Sequence, residues 1–280
     1  MRHPQAPVAR LLGVRVRRSA PLGAATRVDL DDGRVAVVKA GDGVVAEAAG
    51  LRWLAVPGGP PVPAVLAADD GWLVMEFVAG GHPAREPAAA FGRRLATLHA
   101  AGAPAFGSPP DGGPADAWIG SAAMRNVPGP RWPQWYAAER VRPYVRIARD
   151  AGTLSAVEAA VFDTVCDRLP DLAGPAEPPA RLHGDLWSGN VLWSPDGAWL
   201  IDPAAHGGHR ETDLAMLALF GLPRLDTVLA AYDEAAPLAP GWRERVPLHQ
   251  LFPLLVHTVL FGGGYAGQAV AAARAALRTT

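Results

Sequence analysis

The chain has 280 residues, 50% of them apolar, and a formal charge of −1 at pH 7. That supports a sizeable buried core, in one medium domain or in two lobes sharing a cleft, and excludes a disordered chain. No basic run suggests a nucleic-acid or anionic-membrane partner, so none is expected, and a lone cysteine, Cys166, excludes an internal disulfide.

The predicted elements divide the chain in two. Residues 1–78 read as strands with one inserted helix. Met1–Leu12 lacks a continuous apolar stretch, so no signal peptide is expected. Val14–Arg18 reads as a strand, followed by a small-residue turn through Ser19–Ala24. Ala25–Leu30 alternates, Asp31-Asp32-Gly33 marks a hairpin turn, and Arg34–Lys39 is a β-branched strand. Helical spacing follows over Val44–Ala55, then a second hairpin, Ala64–Ala68 with Trp72–Val78, around Asp69-Asp70-Gly71.

Residues 79–280 read as mostly helical. Phe91, Leu95 and Leu98 share one face of a helix over Pro87–Ala101. Gly102–Pro130 is a long Gly/Pro-rich loop, and helices are expected over Trp132–Ala151 and Ser155–Leu169. A short β-rich segment, Arg181–Asp202, precedes helices that run to the end. Leu251–Phe261 is apolar but is broken by Pro253 and His257 and is too short to span a bilayer. A soluble cytoplasmic protein is expected, as a monomer or weak homodimer.

The chemistry concentrates in His183-Gly184-Asp185-Leu186-Trp187-Ser188-Gly189-Asn190-Val191-Leu192. An Asp followed five residues later by an Asn has the spacing of a kinase-type catalytic loop. Asp185 would accept the hydrogen bond of an attacking hydroxyl, and Asn190 would reach a metal beside the phosphates. Asp202, at the end of the hydrophobic strand Trp199–Ile201, stands where a kinase places its main Mg²⁺ ligand, although Pro203-Ala204 replaces Phe-Gly. As ordinary turn residues, Asp185 and Asn190 would not require the downstream strand and its carboxylate. His183 reads as a brace on the loop backbone, since Asp185 already fills the base position.

One of the 26 basic residues is a lysine, Lys39, and it ends a strand. A compact ammonium is not interchangeable with guanidinium, and this location suits contact with the α- and β-phosphates of ATP. Glu47, on the next helix, can pair with it. Met75, Glu76, Phe77 and Val78 read as an interlobe hinge for adenine, and Leu192 as the apolar floor beneath the ring.

On these residues the chain resembles the fructosamine kinase family, which is itself similar to aminoglycoside phosphotransferases and protein kinases. The resemblance runs through His183–Leu192, Ile201-Asp202-Pro203, Gly208–Met216, Leu219-Phe220-Gly221, Gly241–Arg245, and His257 with Phe261–Tyr265. It is weaker at Glu47–Leu54, Leu95–His99 and Arg131–Pro143. It implies a bilobal α+β protein-kinase-like fold, with residues 1–78 as a nucleotide-binding N-lobe and residues 79–280 as a catalytic C-lobe. It implies ATP- and Mg²⁺-dependent phosphorylation of the 3-hydroxyl of a ketosamine, free or protein-bound, whose product falls apart to release the amine. Trp187 would pack on the sugar or its cationic amine, or else support the loop from the core. His209, Arg210 and Glu211 would line the acceptor site, or else fasten the metal loop to the helix below. Asp213 reads as a brace, and His257 and Tyr265 would line the cleft floor or else, the default, pack in the last helices. The phosphate-covering turn departs from the pattern, with only Gly23 in place of paired glycines, and the interval from Lys39 to Glu47 is short. A kinase for another amino-sugar, a catalytically silent nucleotide-binding module, and a metal-dependent hydrolase using His183, Asp185 and Asp202 stand as rival readings.

Overall fold

The computed structural model describes residues 3–82, 85–195 and 197–278. Helix α1 (Gln5–Leu12) precedes strands β1 (Val16–Leu22), β2 (Ala25–Leu30) and β3 (Val35–Ala40). Helix α2 (Val44–Leu54) is followed by β4 (Val65–Ala68) and β5 (Trp72–Glu76). The strands form one antiparallel sheet in the order β1-β2-β3-β5-β4.

Strand parity explains both faces of this sheet, because alternate side chains point to opposite sides. Ala36 and Val38 share an apolar cluster with Val8 of α1. Val37 instead packs with Val44, Ala48 and Leu51 of α2. Lys39 has the parity of Val37, so the strand aims the ammonium toward α2.

Two local expectations are corrected here. The described residues of 1–78 hold two helices, not one: α1 was hidden by Pro4 and Pro7, which a helix tolerates at its N-cap and in its first turn, where the amide would be unpaired anyway. The turn expected over Ser19–Ala24 is mostly strand. β1 continues to Leu22, which pairs with Ala25, leaving a tight turn at Gly23-Ala24.

Beyond β5 the chain is mostly helical. Helix α3 (Arg85–Ala100) leads into the segment expected as a loop, which contains a hairpin of β6 (Asp116–Ile119) and β7 (Ala122–Arg125). Ala117, Ile119, Ala122 and Met124 alternate inward and join the main core. The strands are four residues each and rich in alanine, too short and too weakly apolar to stand out by periodicity. Helix α4 (Trp132–Trp135), a π-helical turn (Tyr136–Val141) and α5 (Arg142–Asp150) come next. Helix α6 (Ala156–Leu172) starts with a reciprocal cap: the Glu158 amide donates to Ser155 Oγ and the Ser155 amide donates to the Glu158 carboxylate.

Strands β8 (Ala180–Leu182) and β11 (His206–Gly208) pair, as do β9 (Val191–Ser194) and β10 (Gly197–Leu200). Helices α7 (Arg210–Leu219), α8 (Leu225–Ala235), α9 (Trp242–His249), α10 (Leu251–Phe261) and α11 (Gly263–Arg278) complete the fold. Among the described residues no helix is long and apolar enough to cross a membrane.

Candidate active site

The turn after β8 is built around Gly184. Its φ is +83°, and an added Cβ would stand 2.1 Å from the Ala204 carbonyl oxygen, so only glycine fits. The amides of His183 and Gly184 donate to the two carboxylate oxygens of Asp213, at 2.7 and 3.0 Å. Asp213 is fully buried and also lies 3.3 Å from His99 Nε2, while His99 Nδ1 is 2.8 Å from the Tyr232 hydroxyl. Burial alone would raise the Asp213 carboxyl, but the His99 and backbone bonds outweigh it and hold it below the ordinary value. His183 Nε2 lies 2.9 Å from the Ile201 carbonyl oxygen, and Nδ1 accepts from the Asp185 amide at 3.3 Å. His183 therefore ties the loop to the end of the β9–β10 hairpin.

Asp185 emerges from this turn half-buried. Burial pushes its carboxyl up to about 7, against a lowering bond from Asn190, and the Asp202 and Asp213 carboxylates add to the rise. Asn190 Nδ2 donates to Asp185 Oδ2 at 3.1 Å and to the Asp185 carbonyl at 2.8 Å. The amide nitrogen is thus committed, and Oδ1 is the atom left for a cation. Pairing of Val191 with Leu200 sets Asn190 beside Ile201, whose amide donates to the Asn190 carbonyl at 3.1 Å. The hairpin register thereby brings Asn190 and Asp202 together. Asp202 has φ +55°, a left-handed conformation that asparagine and aspartate tolerate best and that costs about 1–3 kcal/mol elsewhere.

A cleft of about 620 Å³ separates the sheet from this segment, a size suited to a nucleotide-scale ligand. Gly23 lines its upper edge. Met75, Glu76, Phe77 and Val78, at and beyond the end of β5, line the back, and Leu192 of β9 faces them from below. Lys39, Glu47 and Asp202 line the same cleft. Lys39 Nζ is 2.7 Å from Glu47 Oε1 and 2.6 Å from Asp202 Oδ1. Burial works against the ammonium, but the Glu47 and Asp202 carboxylates outweigh it and hold Lys39 above its ordinary value.

Next to Asp185 the surface turns aromatic. Trp187 is 38% exposed, so it is not a core tryptophan. Its indole lies over Gly189, where an added Cβ would be 2.2 Å from the ring. The Trp187 and Phe220 rings meet edge to face with centroids 5.8 Å apart, and the centroids of Phe220 and His257 are 5.0 Å apart, those of His257 and Phe261 5.5 Å, and those of His257 and Tyr265 4.9 Å. His257 and Tyr265 do pack together in the last helices; what the sequence reading did not anticipate is the strip that joins them to Trp187 through Phe220. The four-residue spacing of His257, Phe261 and Tyr265 was the available signal.

His209, Arg210 and Glu211 were read either as lining the acceptor site or as fastening the metal loop to the helix below, and their contacts are of the second kind. None of the three lines the cleft. His209 and Glu211 are buried, and Arg245 forks onto the Glu211 carboxylate at 2.5 and 2.9 Å. Arg210 makes two bonds to Glu177, at 2.6 and 2.8 Å. Guanidinium and carboxylate groups satisfied in this way fasten α7 to its neighbours. His209, Glu211 and His249 bring ligand-type atoms within 4.8 Å of one another, but the Arg245 guanidinium on the same carboxylate opposes a cation there.

The fructosamine kinase family model matches residues 40–279. A solved protein assigned as a fructosamine-3-kinase of Thermobifida fusca YX-ER1 is 51% identical, with a TM-score of 0.93 over 98% of both chains. An Escherichia coli K12 protein assigned as a ketoamine kinase is 32% identical over 226 residues, 79% of this chain and 76% of the relative. The ketosamine-3-kinase of Mus musculus is 36% identical over 141 residues, 50% of this chain and 45% of that one. The gentamicin–APH(2″)-IIa complex, at 14% identity and a TM-score of 0.59 over 95% of this chain and 92% of that one, shares the fold.

Proposed function

Because this chain belongs to the fructosamine kinase family, we propose that it transfers the γ-phosphoryl group of ATP to the 3-hydroxyl of a ketosamine. The observation that carries this reading is a run of contacts at the cleft: Lys39 and Asp202, which both line it, are 2.6 Å apart, and Asn190 Nδ2 reaches the Asp202 carbonyl at 3.4 Å and the Asp185 carboxylate at 3.1 Å. Residues 1–78 hold the nucleotide, with adenine between the Met75–Val78 segment and Leu192, and residues 79–280 supply the chemistry.

The donors fit Mg²⁺, a hard cation that takes oxygen ligands and uses one or two carboxylates with substrate phosphates. Asn190 Oδ1 and the Asp202 carboxylate would hold it. Bound there, Mg²⁺ supplies neutralisation of the phosphate charge. Lys39, steadied by Glu47, adds a positive charge on the α- and β-phosphates. Asp185 orients the acceptor hydroxyl and takes its proton as the new O–P bond forms and the bond to ADP breaks. Asn190 holds the Asp185 carboxylate in place, so positioning and charge neutralisation carry the rate enhancement.

The acceptor enters along the aromatic strip. Trp187 offers a ring face beside the base, suited to the apolar face of a sugar or to the protonated amine of a ketosamine. The phosphorylated product is unstable and releases the amine, which makes the reaction a deglycation in the cytoplasm. A ³¹P NMR screen with ATP, Mg²⁺ and fructoselysine, ribuloselysine or aminoglycosides tests the reading. Phosphorylation of the ketosamines is expected, and turnover of aminoglycosides alone would overturn the acceptor assignment.

A further inference from the structure

Helix α2 carries Glu47 on the N-terminal side of the cleft, yet much of its surface belongs to the other lobe. Val44, Ala48 and Leu51 pack on the sheet. A second face, made of small residues, meets the C-terminal half at separate points. The indole of Trp118, on β6, lies against Gly43, the residue that precedes α2, with Cδ1 3.3 Å from a Cβ built there. Ala46 packs on the main helical core. Ala49 meets Gly113, whose Cβ would stand 3.0 Å from the Ala49 methyl. Gly50 sits on Pro203 and Ala205, immediately after Asp202, at 3.3 and 3.2 Å from a built Cβ. Small side chains at these positions let the two halves approach at backbone distance, and a larger residue at any of them would wedge α2 outward.

The same hairpin reaches the site itself. Its turn residue Gly120 lines the cleft with Lys39, Glu47 and Asp202. Strand β7 is anchored along its length: Tyr144 donates to the Ala123 carbonyl at 2.7 Å, and at the base the buried Arg140 donates to the Arg125 carbonyl at 2.8 Å and to Asn126 Oδ1 at 2.9 Å. A hairpin fixed at its base, in contact with α2 along its side and with the cleft at its tip, forms a rigid link between the lobes.

We infer that the segment 110–125 is a built-in clamp on α2, in which Trp118 and Gly113 are positioning residues that set Glu47, and through it Lys39, for the phosphates. This rests on the phosphotransferase reading and goes beyond it. Neither residue touches the reacting atoms, so their effect must pass through Glu47.

A double-mutant cycle tests it, with the kinetic constants for ATP and the MgATP dissociation constant as readouts. Trp118→Ala is expected to lower kcat/KM for ATP by about tenfold, the scale of a small misplacement at a phosphoryl-transfer site. Trp118→Phe should restore most of that loss. In a Glu47→Gln background Trp118→Ala should change little, because the clamp then has nothing to hold. Full additivity of the two substitutions would overturn the inference, as would a wild-type-like Trp118→Ala enzyme beside an impaired Glu47→Gln enzyme. A wild-type-like Glu47→Gln enzyme would overturn both the clamp and the role given to Glu47. If Trp118→Ala lowers the melting temperature, Gly113→Val decides: it crowds Ala49 from the same segment, and the same loss, again absent with Glu47→Gln, is expected.

Discussion

The Lys39 ammonium bridges to Asp202, 2.6 Å away, across the two halves of the molecule. Its second partner, Glu47, is 2.7 Å away on α2. A cation between two carboxylates of opposite lobes has one to spare. Phosphates, which offer several anionic oxygens, can take over from Asp202 while Glu47 keeps the stem extended, and Asp202 is then free for a metal. Lys39→Met should lower kcat/KM for ATP by at least ~100-fold, and Lys39→Arg should fail to rescue it because the planar fork does not reproduce a point charge. Steady-state kinetics checks this. An amine-reactive ATP analogue should label Lys39 in the parent enzyme, and ATP should protect it.

Asp185→Asn preserves the shape of the side chain while removing its capacity to take a proton. An expected fall in kcat of at least ~100-fold, with KM for ATP nearly unchanged, separates a base from a nucleotide-binding group. Single-turnover measurement of the transfer step checks the assignment directly.

Chelation of divalent metal should abolish transfer, with recovery on adding Mg²⁺. Asp202→Asn and Asn190→Ala should each raise the Mg²⁺ concentration needed for half-maximal rate, since the first makes an anionic ligand neutral and the second removes an oxygen ligand from a small set. Titration of activity against Mg²⁺ measures the shift.

Trp187→Ala should raise KM for a ketosamine by roughly 2- to 30-fold, the range of a cation or sugar face stacked on indole, while KM for ATP changes little. Gly189→Ala provides a second route, because its methyl group would displace the indole without removing it. Equal losses for both substrates would assign Trp187 to support of the loop.

The Glu211–Arg245 pair gives a stability prediction. Burial raises the Glu211 carboxyl, but the His249 imidazole 3.2 Å away and the bonds from Arg245 outweigh it and bring it down to about 2 from an ordinary 4.5. A depressed folded value means that the contribution is present above about pH 4.5 and is lost as pH falls toward 2. Glu211→Gln should cost about 3–5 kcal/mol near neutrality, because the Arg245 guanidinium is left buried without its partner. It should also flatten the acid limb of the stability curve, as read by denaturant unfolding at a series of pH values.

The linear spacing of His183, Asp185, Asn190 and Asp202 by itself determined the reaction class, and the lone lysine pointed to the phosphate side. Both follow from short-range chemistry: a catalytic turn and its hairpin lie within one stretch of chain, so their residue types and intervals survive in the sequence. The strands that place Lys39 were legible for the same reason, since parity along a strand is a local property. What the tertiary structure alone decided lies in contacts between distant segments. The packing of the β6–β7 hairpin on the main core, the contact of α2 with Trp118, and the strip from Trp187 to Tyr265 join residues separated by many tens of positions. Glu211 illustrates the difference: its place in a motif beside the metal loop left acceptor lining and fastening equally open, and its burial against Arg245 and His249 favours fastening.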